Sequence, residues 1–168
     1  MLFNILNCST KDFSSLQEKR VAEYLGWNVI CGSGARPCRP GDIESDEWLG
    51  ECKTHESCNQ PIKFMASHWA KLCDEAMAVH KFPVLIVDDG SQKIDNTWCL
   101  FNLKTNPTGE IKLDIYPDKV GKNISFSNEQ MKLHIRDIRI DGLKLSNGKN
   151  LFGIVPLKVF AEVFGENA

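Results

Sequence analysis

The apolar run Pro83 to Val87, closed by Asp88-Asp89-Gly90, limits what this chain can fold into. Its residues do not alternate with polar ones, so a strand here is buried on both faces, as a central strand of an α/β sheet is. Just before it, Met65, Trp69, Leu72, Ala76 and Val79 recur at offsets 0, 4, 7, 11 and 14. That spacing predicts an amphipathic helix packed against the sheet, with Trp69 facing the core.

Upstream, Ser15 and Glu18 have the spacing of a capping box, and Leu16, Val21, Ala22 and Leu25 give the following helix an apolar side that Gly26 ends. Trp27 to Cys31 reads as a strand and Gly32 to Gly41 as a loop with three Gly and two Pro. Asp42 to Ser45 and Glu47 to Thr54 read as two short strands turning at Ser45-Asp46. Further on, Trp98–Leu103, Glu110–Ile115, Asn123–Phe126 and Met131–Ile140 alternate as strands do, separated by turn signals such as Asn106-Pro107 and Asn147-Gly148. Leu151 to Val155 adds one more strand, and Pro156 opens a terminal helix through Phe164. The pattern predicts an α/β core with a β-rich C-terminal addition.

The chain's 168 residues suit one domain with a core of its own, and 42% hydrophobic with 25% charged residues is ordinary for a globular protein. No apolar stretch approaches the roughly 20 residues of a membrane span. Met1 to Leu6 carries no positive charge, and Asn4 and Asn7 interrupt its apolar residues, unlike a signal peptide. The expectation is a cytoplasmic protein without membrane partners. Seven cysteines, an odd number, then read as reduced thiols, most of them buried. No CxxC pair occurs, although His55 and His68 leave a mixed zinc site open.

The chemistry concentrates at Gly41-Asp42, followed after eight residues by Glu51-Cys52-Lys53. Residues two apart on a strand share a face, so Glu51 and Lys53 point together while Cys52 points away. A hairpin between the two short strands brings Asp42 beside them. Two close carboxylates repel, and a divalent cation resolves the repulsion; magnesium takes one or two carboxylates and keeps water and substrate phosphate for its remaining positions. A lysine beside such an ion can orient the attacking water and stabilise charge on phosphate, which suits phosphodiester hydrolysis.

At these residues the sequence resembles the PD-(D/E)xK nuclease superfamily, and within it the Holliday junction resolvases of archaeal and bacteriophage type. The matching positions are Glu18 on the first helix, Gly32-Ser33-Gly34-Ala35 after the first strand, Pro40-Gly41-Asp42, and Glu51-Cys52-Lys53-Thr54. The Trp69 and Lys71 helix and the strand from Pro83 follow in the family's order. The resemblance covers about residues 14–103, with 151–164 similar to the closing strand and helix; about 105–150 matches nothing in the family and reads as a β-rich insertion. It implies a single nuclease domain over 1–168, with a restriction-endonuclease-like mixed central sheet flanked by helices. It also implies a Mg²⁺-dependent structure-selective DNA endonuclease, with Mn²⁺ a possible substitute, acting on four-way or branched DNA as a homodimer. The alternatives are a repair, nicking or restriction-like nuclease of the same superfamily, or a non-catalytic DNA-binding protein with the same fold.

On this reading Asp42 and Glu51 hold the metal, Lys53 positions water and Glu18 supports the site. Glu18 is also the capping-box partner, so its two roles compete. Ser33 and the neighbouring glycine amides are candidate phosphate contacts, and Arg36 and Arg39 in the same loop are phosphate clamps in preference to ion pairs. His55, two residues beyond Lys53, and the basic Lys63 and Lys71 extend the candidate DNA track. The net charge of −2, with 9 Lys+Arg against 13 Asp+Glu before Ser91, argues against a passive high-affinity DNA binder.

Overall fold

The computed structural model describes residues 10–31, 39–107, 109–117 and 121–167. Its first helix, α1 (Thr10–Leu25), starts earlier than the Ser15–Glu18 pair predicts. Both residues therefore lie inside the helix, and the capping box does not form. Val21, Ala22 and Leu25 are buried as expected, whereas Leu16 is 54% exposed. Gly26 follows α1 at φ +75°, the left-handed conformation that suits glycine after a helix.

The short β1 (Asn28–Val29) and β2 (Ile43–Glu44) pair antiparallel, and β2 turns back at Ser45 into β3 (Trp48–Lys53). Ser45 closes that turn: its N–H donates to the Trp48 carbonyl at 3.1 Å, and its Oγ accepts from the Trp48 N–H at 3.1 Å. After β4 (Ile62–Phe64), α2 (Ala66–Ala78) carries the chain back to β5 (Phe82–Asp88), which pairs parallel with β3 from Trp48↔Phe82 to Lys53↔Val87. Val84 to Asp88 are all buried, as the apolar run requires.

A 3-10 turn (Ile94–Asn96) leads to β6 (Thr97–Asn102), antiparallel to β5. Then come β7 (Leu113–Ile115), β8 (Ile124–Phe126), α3 (Asn128–Ile138), β9 (Gly142–Asn147), β10 (Asn150–Pro156) and α4 (Leu157–Phe164). The main sheet is mixed, in the order β1-β2-β3-β5-β6-β10-β9-β7, while β4 and β8 form a separate antiparallel pair. One core, with Leu72, Ala76, Leu85, Val87, Trp98 and Met131, lies between the sheet and the α2 and α3 side. The other, with Val21, Leu25, Trp48, Val84, Phe101 and Phe160, lies between the sheet and the α1 and α4 side.

The insertion differs from its expected all-strand form. Met131–Ile140 is mostly helix: Ser127 caps α3 by accepting the Gln130 N–H at 3.5 Å, and Arg139 ends it at φ 54°. The insertion is also tied into the core. Its strand β9 joins the main sheet beside β10, and Asn123 Oδ1 accepts the Ala66 N–H at 3.0 Å, capping the start of α2. Among the described residues no helix is long and apolar enough to cross a membrane.

Candidate functional site

Gly41 leads into the site at φ +78°, and a Cβ there would stand 2.7 Å from Leu49 Cδ1, so the close approach of this turn to β3 requires glycine. The pairing of β2 with β3 ends at Ile43↔Gly50. Asp42, the next residue outward, donates its N–H to the Gly50 carbonyl at 2.9 Å and accepts the Cys52 N–H on Oδ2 at 2.8 Å. Its carboxylate is thereby fixed against β3, beside Glu51.

Glu51 occupies a central strand and is only 8% exposed. A carboxylate taken so far out of water needs a partner. Lys53 supplies it from the same strand face, with Nζ 2.5 Å from Glu51 Oε1. Burial alone would lower the lysine, but the Glu51 hydrogen bond and charge, with help from Asp42, outweigh it and hold the ammonium above its usual range. Asp42 is raised, first by burial and then by the Glu51 charge, against the opposing pull of the Cys52 N–H, Lys53 and Lys71. Glu18 is raised by burial and by Asp42, so the first helix brings a third carboxyl into the same field. Cys52, on the opposite strand face, is buried, and its thiol is pushed well above the usual range by that burial.

The structure thus brings Glu18, Asp42, Glu51 and Lys53 together, and Lys71 lies close enough on α2 to act on Asp42. The other candidates fall differently. Ser33 and Arg36 lie outside the described residues. Arg39, expected to clamp phosphate rather than form an ion pair, pairs with Glu44 at 3.0 Å, and Glu44 also takes Lys81 at 2.7 Å. β3 stops at Lys53, so alternation does not carry on to His55, whose Cβ is instead 3.1 Å from where a Cβ on Gly90 would stand. Lys63 is exposed on β4 opposite Ser125, in the small sheet rather than the main one.

Two nearby residues escaped the sequence reading as members of this site. His68 is lowered by burial and by the Lys53 charge, which places it by the lysine. It stands one helical turn before the buried Leu72, so its spacing was the available signal. Gln17, fully buried on α1, donates Nε2 to the Lys53 carbonyl at 2.8 Å. It lies four residues before the buried Val21, on the stripe that faces the sheet.

Among the described residues the thiols divide between buried and exposed positions. Cys52 and Cys99 are buried and Cys73 is half-buried, but Cys31 and Cys58 are exposed. Among the described residues no group of three or more His, Cys, Asp or Glu is placed to hold a metal ion. An ion here would rest on the Asp42 and Glu51 oxygens with water or substrate completing its shell. Hard carboxylate donors, with Asp42 raised by burial and then by the Glu51 charge, suit magnesium or manganese. Compared with protein-family models, with curated proteins and with solved structures, the chain gives no match.

Proposed function

We propose that this protein is a Mg²⁺-dependent endonuclease hydrolysing phosphodiester bonds in branched DNA, with four-way junctions as the leading substrate. The observation that carries the reading is the constellation of Asp42, Glu51 and Lys53: a carboxylate pinned by the Cys52 N–H beside an ion-paired carboxylate and ammonium. The mixed α/β frame supports it too. A helix bearing Glu18, a strand meander bearing Asp42 and Glu51-Cys52-Lys53, an amphipathic helix and a buried parallel strand follow in the order of the restriction-endonuclease-like core.

In this reading Asp42 and Glu51 hold the ion, which when bound neutralises phosphate charge and lowers the pKa of water. Lys53 donates hydrogen bonds to the attacking water or to the phosphate oxygen gaining charge, and Glu51 keeps its ammonium aimed there. Glu18 accepts hydrogen bonds from water at the rim of the site. Cutting two strands of a junction symmetrically calls for a two-fold homodimer.

The test is cleavage of four-way, flapped and linear duplex DNA by the purified chain in Mg²⁺, Ca²⁺ and EDTA. Junction cleavage in Mg²⁺, lost in EDTA and in an Asp42→Ala variant that still binds DNA, supports the proposal. Preference for flap or linear duplex assigns another nuclease of the superfamily, and binding without hydrolysis in any divalent ion leaves a DNA-binding protein.

A further inference from the structure

The nuclease reading assigns no work to Gln17, yet this side chain is fully buried and reaches across from α1 to the strand that carries the site. Its Nε2 donates to the Lys53 carbonyl at 2.8 Å. Its Oε1, also buried, has no hydrogen-bond partner among the described residues. A flipped amide would set oxygen against oxygen, so the Lys53 carbonyl fixes its orientation. An unpartnered buried acceptor is destabilising, and an apolar side chain of the same size would fill the position without that burden. Glutamine is therefore a poor choice for packing alone, and the hydrogen bond to Lys53 is what sets it apart.

That bond is one part of a clamp on the end of β3. Asp42 accepts the Cys52 N–H, and Gln17 donates to the carbonyl of the next residue. One residue further, Thr54 donates Oγ1 to Asp88 Oδ1 at 2.5 Å, while Asp88 Oδ2 pairs at 2.9 Å with Arg20, three residues after Gln17 on α1. Gln92 closes the circuit by donating Nε2 to Thr54 Oγ1 at 3.1 Å and to the Phe13 carbonyl at 3.2 Å. The helix that carries Glu18 thus grips the main chain at Lys53 directly, and the Thr54 side chain through Asp88 and Gln92.

We infer that Gln17 is a positioning residue for Lys53: by holding the Lys53 carbonyl to α1 it fixes the lysine relative to Glu18 and Glu51. The inference rests on the proposed nuclease activity, and its test separates the two. In Gln17→Met, which keeps volume and removes both polar groups, kcat on junction DNA falls by about ten- to a hundred-fold, the scale of a misplaced reacting group, while KM stays within about two-fold. The melting temperature changes little, because the unpartnered Oε1 is gone but the Lys53 carbonyl loses its donor. A residue serving packing alone would leave kcat unchanged.

An activity-free readout accompanies the assay: acetylation of Lys53 by acetic anhydride, followed by peptide mass spectrometry. Freed from α1, Lys53 labels at least about three-fold faster in the variant, with exposed Lys144 as the internal standard. Absence of cleavage by the wild-type chain overturns the nuclease reading, and unchanged Lys53 labelling overturns the grip of Gln17 on the lysine. Wild-type cleavage with an equally active Gln17→Met variant overturns the positioning role alone.

Discussion

Lys53 Nζ lies 2.5 Å from Glu51 Oε1, two residues back on the same face of β3, and this pair links stability to the proposed chemistry. In Lys53→Ala, hydrolysis slows by about two to four orders of magnitude while junction affinity changes little, because affinity is spread over many phosphate contacts. The same variant leaves Glu51, 8% exposed, without its cation. It loses about 1–3 kcal/mol, less than at a fully buried pair because Lys53 is 37% exposed, and Glu51→Gln in the same chain restores part of that loss. Single-turnover cleavage and thermal melting measure the two effects, and near-normal turnover would make the lysine a surface charge.

The cysteines offer a check on burial that needs no substrate. Burial, with the Asp74 charge, pushes the half-buried Cys73 thiol up to about 11, so at pH 8 only about one molecule in a thousand carries its thiolate. Cys52 and Cys99 are buried, and that burial pushes their thiols well up in the same direction. Among the described cysteines, brief iodoacetamide treatment of the native protein therefore labels Cys31 and Cys58 before Cys52, Cys73 and Cys99, which denaturation exposes. Early modification of Cys52, mapped by peptide mass spectrometry, would show that the site's strand is not packed against the α1 side.

Two arginine ion pairs separate burial from mere proximity. Asp88 is fully buried, and Arg20 is the cation paired with it, whereas the Arg39 side chain is 68% exposed in its pair with Glu44. Arg20→Met strands a buried carboxylate and costs about 3 kcal/mol or more, lowering Tm by roughly 6–12 °C in a chain of this size. Arg39→Ala moves Tm by no more than about 2–4 °C, since an exposed pair contributes about 0–1 kcal/mol. Equal losses in the two variants, measured by calorimetry, would refute this ranking.

The core strands and the clustering of Asp42, Glu51 and Lys53 were legible because each rests on a local rule. The unbroken apolar run gave β5, and alternation put Glu51 and Lys53 on one face. The misreadings arose where one pattern served two structures. In 131–140, Met131, Leu133 and Ile135 fit period two, yet Met131 and Ile135 pack inward one helical turn apart, while Leu133 and Ile138 remain 47% and 42% exposed. β9 was missed because Gly142 resembles a loop residue; it is glycine because a Cβ there would stand 2.5 Å from the Ile154 carbonyl oxygen. Gln17 was invisible for a different reason: only the tertiary fold reveals that this polar residue meets the Lys53 carbonyl.

The raised carboxyl of Asp42 sets a pH-dependent stability. Burial comes first, then the Glu51 charge, and together they outweigh the Cys52 N–H and the nearby lysines. The folded protein therefore holds this proton more tightly than the unfolded chain does. As pH rises from the ordinary value of 3.8 through the raised folded value, deprotonation removes stability, and the loss is complete above that window. Asp42→Asn removes the charge but keeps an oxygen to accept the Cys52 N–H. In EDTA at pH 7.5 the variant should melt above the wild type. The difference should shrink as pH falls through the same window, where the wild-type carboxyl also becomes neutral. Mg²⁺ should oppose it at pH 7.5 by stabilising the wild type more, since binding to the folded state alone adds RT ln(1 + [Mg²⁺]/Kd). A variant that melts below the wild type in EDTA at pH 7.5 would mean that the Asp42 charge stabilises the fold, and that the site is not strained toward a cation.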